Sequence, residues 1–409
     1  MSRRRVLVLP SWYPSNSKPL AGSFFQEQTR MLEREWDVRV MVPLALSTRR
    51  YVRNKPPPPG QLPVQDPSTF AVQYRTDRWM SWSRQQDAMA KAVQHSLAEF
   101  RREGWAPDVL LAHSTAWAGA LATQIGKKLG LPVVIVEHSS SWLVREYTPE
   151  QESRVRQALA DATTVCAVSP ALRRLMLAHD LPDAIHWEVV GNLVDESVFY
   201  PPESSRTDGR ADFHVLTVAN REFIKDVRTL FQAVAIIKAQ RPMLRLSLRA
   251  VGDFRGEGRS FSELSADYGV EDRVSIDSFL ERAETAQAMR EAHLFVSSSI
   301  AETFGVVIAE ALACGLPVVA TRSGGAEYIL GEGSPFLVEP RDPEALARKM
   351  LEVVDGVHPF DALQASESIV CRFGLAAFAA RMNRILNEAI RRHTSSIAAA
   401  PENDAGARL

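Results

Sequence analysis

Short apolar runs recur along the chain, and stretches with helical spacing separate them. In the first third of the chain these runs lie at Val6–Leu9, Val38–Val42, Val109–Ala112 and Val133–Val136. Runs of four or five mostly apolar residues are typical of strands that are buried on both faces of a parallel sheet. Their alternation with helical stretches predicts an α/β fold built from βαβ units.

The same pattern returns in the second half of the chain, after a polar and proline-rich stretch that ends near Asp212 and that we interpret as a linker. Apolar runs then lie at Val215–Val218, Leu246–Gly252 and Leu294–Ser299. At 409 residues the chain is too long for one ordinary core. We therefore expect a first domain over residues 1–200, a second over 201–375, a final helix over 376–393 and a disordered tail over 394–409.

The most informative stretch is Ile300–Thr321, which reads IAETFGVVIAEALACGLPVVAT. It predicts a polar loop, a helix over Val306–Ala313 that ends at Gly315, and a buried strand from Pro317. A helix that begins after Gly305 presents free N–H groups and the positive end of its dipole. Such a helix start is a suitable site for a phosphate group.

Two glutamates flank this helix start. Glu302 lies in the preceding loop, and Glu310 lies inside the helix, roughly 7–8 Å along its axis from the first turn. A diphosphate at the helix start would place a sugar beside Glu302 and a ribose beside Glu310. A surface loop that leads into a purely structural helix is the alternative interpretation.

The spacing E-x7-E, followed by A-x-A-C-G-x-P-V-V-A-T, resembles the signature of the retaining glycosyltransferases of the GT-B fold, family four. The resemblance implies that Glu302 faces the donor sugar and that Glu310 binds the ribose. It also implies that the amide region around Gly305, from Phe304 to Val306, meets the phosphate. The strong motifs cover about residues 190–340. The first half of the chain resembles the family in its pattern of elements more than in residue identity.

The resemblance assigns two site residues in the first half. Gly22 matches a glycine of the first strand-to-helix loop that approaches the donor phosphates, although the usual double glycine is here Ala21-Gly22. A glycine needed only for the turn is the alternative. His138 matches a histidine that faces the donor sugar and the acceptor. It follows a predicted strand, at the sheet edge where α/β folds bind ligands, and His113 follows another strand in the same way.

The loop that opens the second domain carries two cations, Arg221 and Lys225. In the family an arginine and a lysine of this loop reach the donor diphosphate, although the gap between them is shorter here. Fixed cations would stabilise the charge that develops on the departing diphosphate without a metal ion. Solvation of two surface charges is the alternative. By the same resemblance Phe279 and Leu280 are expected to contact the base.

The resemblance implies two Rossmann-like domains that face a central cleft, with a C-terminal helix that crosses back to the first domain. It implies a glycosyltransferase that moves a hexose from a UDP- or GDP-sugar with retention of configuration. The expected acceptor is a glycan or a lipid-linked molecule in bacterial surface polysaccharide or glycolipid synthesis. A sugar-nucleotide epimerase or hydrolase of the same fold, and a catalytically silent sugar-nucleotide-binding protein, are the alternatives.

Composition and the absence of certain motifs argue against several other functional classes. The 48 basic and 49 acidic residues give no global argument for a nucleic-acid partner. The chain has no G-x-G-x-x-G, which counts against a dinucleotide-dependent dehydrogenase. It also has no D-x-D, so we expect neither a bound metal nor a cofactor beyond the donor substrate.

Cysteine usage and hydropathy indicate a cytoplasmic protein. Cys166, Cys314 and Cys371 are far apart, and we expect each to be a small buried apolar residue. The N-terminal apolar run is too short for a signal peptide, and no stretch approaches the length of a membrane span.

A peripheral contact with the inner face of the cell membrane is a further hypothesis. Arginines and tryptophans between Arg75 and Arg84 could contact an anionic membrane, although packing of the tryptophans onto the domain is the favoured alternative. The basic and proline-rich segment Arg49–Pro59 predicts an exposed loop.

Overall fold

The structure is a computed structural model that describes residues 3–18, 21–53, 55, 57, 61–63, 66–144, 147–179, 181–182, 185–203, 212–253, 256 and 258–399. The chain divides into two compact units. The first comprises the residues up to Val168, Leu175–Val190 and the residues from Ala379 onward. The second comprises Ser169–Arg174 and Gly191–Phe378. The expected linker falls largely on residues 204–211, which lie outside the described residues.

In the first unit the described residues form a seven-stranded sheet in the order β3-β2-β1-β4-β5-β6-β7, and every pairing in it is parallel. Its strands are β1 Arg5–Pro10, β2 Asp37–Ser47, β3 Thr69–Thr76, β4 Val109–His113, β5 Val133–Glu137, β6 Thr164–Ala167 and β7 Trp187–Val189. The helices are α1 Ser23–Leu32, α2 Thr48–Val52, α3 Trp82–Arg102, α4 Ala120–Leu129, α5 Ser141–Val144 and α6 Pro149–Asp161. The next helix, α7 Pro170–Leu177, belongs to the second unit up to Arg174 and to the first unit from Leu175. A π-helical turn, Thr115–Gly119, precedes α4.

In the second unit the described residues form a six-stranded parallel sheet in the order β10-β9-β8-β11-β12-β13. Its strands are β8 Asp212–Val218, β9 Arg245–Val251, β10 Val274–Asp277, β11 Leu294–Ser297, β12 Val318–Thr321 and β13 Leu337–Val338. The helices are α8 Val227–Gln240, α9 Phe261–Asp267, α10 Arg282–Glu291, α11 Val306–Ala313, α12 Gly325–Leu330, α13 Pro343–Val354 and α14 Ala362–Phe373. The last helix, α15 Leu375–Ala399, begins in the second unit and belongs to the first unit from Ala379 onward. A 3₁₀ turn, Phe223–Lys225, precedes α8.

The central strands are apolar because both faces of each sheet are covered by helices. All five residues of β5 and all four of β11 are buried. The strand order places β1 and β4 side by side in the first sheet, and β8 and β11 side by side in the second. At that point in each sheet, successive strands stop being added on one side and start being added on the other. Open α/β sheets bind their ligands at such a point, beyond the carboxyl ends of the strands.

The predicted fold class is confirmed: both units are Rossmann-like parallel sheets covered by helices. The structure differs from the sequence-based expectations in several elements. Thr48–Val52 forms α2, where a loop was expected. Residues 394–399 continue α15, where a disordered tail was expected, and residues 400–409 lie outside the described residues. Cys371 is exposed on α14, whereas Cys166 and Cys314 are buried as expected.

Candidate functional site

Glu302 is a nearly buried acid of the second unit that several hydrogen bonds hold in place. Its side chain is 9% exposed, and Lys225 Nζ donates to both carboxylate oxygens, at 2.8 and 3.0 Å. The Ser299 hydroxyl donates to Oε1 at 2.7 Å. The backbone is held as well, because the Glu302 N–H donates to the Ser323 carbonyl at 2.8 Å. The sequence-predicted residues Lys225 and Glu302 therefore form one cluster, although 77 positions separate them.

The turn after β8 positions Lys225. The next residue, Asp226, has φ 39°, a left-handed conformation that residues other than glycine rarely adopt. Two hydroxyls hold this turn: Ser298 Oγ donates to the Asp226 carbonyl at 2.9 Å, and Thr229 Oγ1 donates to its carboxylate at 2.6 Å. Burial raises the pKa of the Asp226 carboxyl above its ordinary value. The Lys225 side chain is 22% exposed, so part of it remains accessible to solvent beside Glu302.

Gly305 initiates α11 with φ 88°. Its carbonyl accepts from the Ile308 N–H at 3.0 Å and from the Ala309 N–H at 3.3 Å. Val306 and Val307 are half-buried, so the first turn of the helix is not sealed inside the unit. The helix bounds match the expected Val306–Ala313. An anion could therefore approach the first amides of α11.

Phe304 separates the Glu302 loop from the core. Its ring is buried and lies perpendicular to the ring of Phe373, at 5.1 Å between centroids. The predicted ligand contact of Phe304 can therefore involve only its backbone. Gly325 passes this backbone so closely that a Cβ there would lie 2.3 Å from the Phe304 carbonyl oxygen.

Glu310 lies on the buried side of α11 and faces α10. Its carboxylate oxygen is 3.9 Å from Arg282 Nη2, and its side chain is 9% exposed. The Arg282 guanidinium also lies 5.0 Å from the ring centroid of Phe199. Arg282 has no motif of its own and was not among the sequence-predicted site residues.

Arg221 lies against another loop of the second unit. Its Nε is 3.5 Å from Asp253 Oδ1, and its Nη1 donates to the Gly258 carbonyl at 3.3 Å. A Cβ at Gly258 would lie 2.6 Å from the Arg221 carbonyl oxygen, and a Cβ at Gly256 would lie 2.5 Å from its carbonyl carbon. These two glycines are therefore required for the close approach of the loop to Arg221.

Phe279 and Leu280, the predicted base contacts, follow β10. Phe279 is exposed and Leu280 is half-buried. Both residues therefore keep surface that a flat ring could contact. Their role remains a prediction.

In the first unit the sheet brings His138 and His113 together. His113 Nδ1 lies 3.2 Å from His138 Nε2, and both rings are buried. Phe25 stacks on His113 with 4.5 Å between ring centroids and lies edge-on to His138 at 4.9 Å. Burial lowers the pKa of His113 to about 3, so its imidazole is neutral at physiological pH.

A buried carboxylate orients this histidine pair. Glu137 accepts from the backbone N–H groups of His138 at 2.8 Å, Ser139 at 2.7 Å and Thr115 at 2.8 Å. It thus joins the loop after β5 to the π-helical turn after β4. Glu137 was not among the sequence-predicted site residues, because a carboxylate directed at backbone amides leaves no spacing signature.

Gly22 forms the N-cap of α1 with φ 75°. A Cβ at this position would lie 2.6 Å from the Trp12 carbonyl oxygen. The turn therefore requires glycine for steric reasons, and a contact of Gly22 with donor phosphates stays a prediction. Within the described part of the chain, no group of three or more His, Cys, Asp or Glu side chains is arranged to hold a metal ion.

Residues missed by the sequence analysis lie mainly at strand ends. Ser298, Ser299 and Asp226 support the Lys225–Glu302 cluster through hydrogen bonds. The rule that ligands lie beyond the carboxyl ends of parallel strands would have identified the serines, since they directly follow β11.

The fold and this site define a class of enzyme that comparison with known proteins identifies. Residues 21–192 match the model of a glycosyl transferase 4-like domain, and residues 212–355 match that of the glycosyl transferases group 1. A D-inositol 3-phosphate glycosyltransferase from Thermobispora bispora is 31% identical over 307 residues, which cover 68% of this chain and 71% of the relative. Three further relatives of that name align over 58% to 63% of their length.

The chain therefore belongs to the group 1 glycosyl transferases, family four, and is a glycosyltransferase. Solved structures agree on its fold. Sucrose-phosphate synthase from Thermosynechococcus elongatus superposes with a TM-score of 0.72 at 19% identity, over 97% of this chain and 100% of that one. HepE from Anabaena in complex with UDP-glucose gives 0.68 at 20% identity, over 94% and 99%. Both likenesses identify the GT-B fold.

Proposed function

We propose that this glycosyltransferase moves a hexose from a UDP- or GDP-sugar to a glycan or lipid-linked acceptor, with retention of configuration. The observation that carries the proposal is the Lys225–Glu302–Ser299 cluster beside the accessible first turn of α11. A cation, an oriented carboxylate and a helix start suit a diphosphate that is attached to a sugar.

Each group has a distinct role in this proposal. The Lys225 ammonium has three donors, so it can keep a bond to Glu302 while it donates to a phosphate oxygen. The amides of α11 and this cation oppose the charge that develops on the leaving diphosphate. Glu302 orients hydroxyls of the donor sugar, and Glu310 accepts from the ribose hydroxyls. Arg221 adds a second cation when its loop lies near the diphosphate.

The bond between the anomeric carbon and the phosphate oxygen breaks, and the bond to the acceptor oxygen forms on the same face. The acceptor proton passes to the leaving phosphate, so no separate general base is required. In the first unit His138 contacts the acceptor, and the hydrogen bond with the neighbouring His113 ring fixes the orientation of the His138 ring. Lys225, the amides of α11 and substrate positioning supply the stabilisation that a metal ion would otherwise give.

The comparisons favour one donor and add a second candidate acceptor. HepE was solved with UDP-glucose, which supports a uridine donor among those proposed. The relative from Thermobispora bispora is named for D-inositol 3-phosphate, which makes a phosphorylated polyol the second candidate acceptor. The primary proposal retains a glycan or lipid-linked acceptor in surface polysaccharide or glycolipid synthesis at the inner face of the cell membrane.

A panel of nucleotide sugars, screened by thermal shift, tests the donor. The preferred donor should raise the melting temperature with concentration, because it binds only the folded chain. NMR of the product should then show the anomeric configuration of the donor preserved in the acceptor-linked sugar. Inversion of configuration would contradict the proposed reaction.

An assay without acceptor distinguishes transfer from the alternative functions. A hydrolase would release free sugar and an epimerase would produce an isomeric nucleotide sugar at full rate. A silent binding protein would show the thermal shift but no turnover with any acceptor. Turnover that requires a glycan, a lipid-linked acceptor or inositol phosphate supports transfer and identifies the acceptor class.

A further inference from the structure

Two segments that are distant in the sequence meet at one edge of the first sheet. β2 and β3 run side by side to their last residues, and Ser47 pairs with Thr76. Directly beyond this pair, Thr48 bonds through its hydroxyl to the Asp77 carboxylate, and its N–H donates to Asp77 Oδ1 at 3.4 Å. α2 therefore lies beside the loop that joins β3 to α3. We call residues 47–53, 55 and 75–84 together the β2–β3 surface.

The β2–β3 surface is strongly cationic. It has a single acid, Asp77, which is already bonded to Thr48. The formal net charge of the whole chain is only −1, so this excess of positive charge is local. The cations that are exposed here are Arg49, Arg50, Arg53, Lys55, Arg75, Arg78 and Arg84.

Apolar side chains project among these cations. Trp79 is 80% exposed, Val52 is 71% exposed and Tyr51 is 46% exposed. The Arg78 guanidinium lies 4.2 Å from the ring centroid of Trp79. The next tryptophan, Trp82, is buried at the start of α3, so packing onto the domain accounts for one tryptophan and not for the other.

We infer that the β2–β3 surface docks this glycosyltransferase on an anionic phospholipid bilayer. Arginine and lysine side chains near such a surface are each worth about 1 kcal/mol, or roughly fivefold in partitioning. Exposed tryptophan and tyrosine suit the headgroup region, and Val52 suits the acyl boundary. Nucleic acid would match the cations and the aromatic rings but would give Val52 no apolar environment.

The inference does not depend on which donor or acceptor the enzyme uses. It explains why the basic and aromatic residues of two segments, separated by 20 positions from Lys55 to Arg75, converge at one sheet edge. The folding of the domain does not explain why the Trp79 ring is exposed to water. Binding to a bilayer would bury this ring and Val52 while the arginines meet the lipid phosphates.

Sedimentation of the full chain with phospholipid vesicles tests this inference. Vesicles of phosphatidylcholine alone should retain little protein, and vesicles that also contain phosphatidylglycerol should bind it in a salt-dependent manner. The double variant R49Q/R50Q should lower partitioning to the anionic vesicles by roughly 25-fold, at about fivefold per cation. The matched control R101Q/R102Q removes two exposed arginines from the end of α3 and should change partitioning less than twofold.

A second pair of variants tests the apolar contact. Trp79→Ala should weaken binding to anionic vesicles severalfold, and Met243→Ala, which truncates an equally exposed apolar residue of the second unit, should not. Thermal unfolding of all four variants should match that of the wild type, because the substitutions are on the surface.

Three results would overturn the inference: no difference between the two lipid compositions, equal losses in R49Q/R50Q and its control, or binding to RNA but not to vesicles. Activity on a water-soluble acceptor should be unchanged in R49Q/R50Q. A loss of vesicle binding with full activity thus separates this inference from the proposed function.

Discussion

Lys225 and Glu302 depend on each other in the ligand-free chain. Lys225→Ala would leave the nearly buried Glu302 carboxylate with Ser299 as its side-chain partner. We expect a loss of about 1–3 kcal/mol in unfolding free energy, because a buried charge loses its counterion. We also expect kcat/KM to fall by about 10²–10³-fold, because the cation opposes charge on the leaving diphosphate. Urea denaturation and initial rates measure the two effects.

The control for this variant is Arg228→Ala, which removes an exposed cation three residues away on α8. It should leave both stability and rate close to those of the wild type. The double variant Lys225→Ala/Glu302→Gln should recover stability relative to Lys225→Ala, since no unpaired carboxylate remains. Wild-type rates in Lys225→Ala would remove this residue from the proposed chemistry.

His113 makes stability depend on pH. Its folded-state pKa of about 3 lies below the ordinary value of 6.5, so the unfolded chain takes up a proton that the folded chain excludes. Stability is therefore full above about pH 6.5 and falls as the pH decreases toward 3, by about 1.4 kcal/mol per pH unit. His113→Asn lacks this titration, and its stability relative to the wild type should improve by about 2 kcal/mol between about pH 6.5 and 5.

Urea denaturation at several pH values measures this difference. The neighbouring titratable groups, His138 and Glu137, are present in both proteins, although the loss of one ring changes the environment of His138. The exposed His95 offers the control, and His95→Asn should show the pH dependence of the wild type. Parallel stability curves for the wild type and His113→Asn would contradict the account of a buried neutral imidazole.

At the scale of elements, the start of α11 depends on Gly305. Gly305→Ala must adopt φ 88° and would bring its Cβ within 3.1 Å of Ile308 Cδ1. We expect a loss of about 1–2 kcal/mol in unfolding free energy and weaker donor binding, because the first amides of the helix shift. Gly356→Ala carries a comparable strain at φ 65° with nothing nearby, so it should lose stability but keep donor affinity. Equal donor affinities in the two variants would contradict the assignment of a phosphate site to α11.

The elements that sequence patterns predicted well are the buried ones. α11 has the expected bounds, β4 and β5 extend one residue beyond the expected ranges at one end, and β1 extends one residue beyond its expected range at both ends. α2 was not predicted because none of its residues is buried, so it has no apolar periodicity. Residues 394–399 continue α15 although most of them are exposed, and their small polar residues indicated a tail.

The sequence predicted which residues belong to the candidate site, but it did not predict which of them contact each other. The family resemblance identified Glu302 and Lys225 from two separate segments, and their direct bond follows from β8 and β11 being neighbours in the sheet. In the same way, the bond between His113 and His138 follows from the pairing of β4 with β5. No local spacing encodes which strands are adjacent, so these pairs required the tertiary structure.

At the scale of the whole molecule, the C-terminal helix returns the chain to the first unit. Trp36 Nε1 donates to Asn383 Oδ1 at 2.6 Å, and Arg384 bonds to both Glu188 oxygens at 2.9 Å. The Arg384 guanidinium holds the pKa of Glu188 below its usual range. Met382, Ile385, Leu386 and Ala389 are buried. The first unit therefore includes a segment from the far end of the chain.

A chain that ends at Phe378 should lose roughly 5–9 kcal/mol of stability, because three large apolar side chains of this helix no longer cover the first unit. Soluble expression and thermal unfolding measure the effect. A chain that ends at His393 removes only residues beyond these contacts and should unfold like the full-length protein. Equal melting temperatures for the two truncations would contradict a structural role of α15.

The central claim is that the start of α11 holds a nucleotide-diphosphate sugar, with Glu302 on the sugar side and Glu310 on the ribose side. Calorimetric titration of the preferred donor into Glu310→Ala tests it most directly, with Glu367→Ala on the exposed face of α14 as the control. We expect at least about tenfold weaker donor binding in Glu310→Ala, since hydrogen bonds to a charged group are worth about 1.5–3 kcal/mol. Donor affinity in Glu310→Ala equal to that of Glu367→Ala would contradict the account.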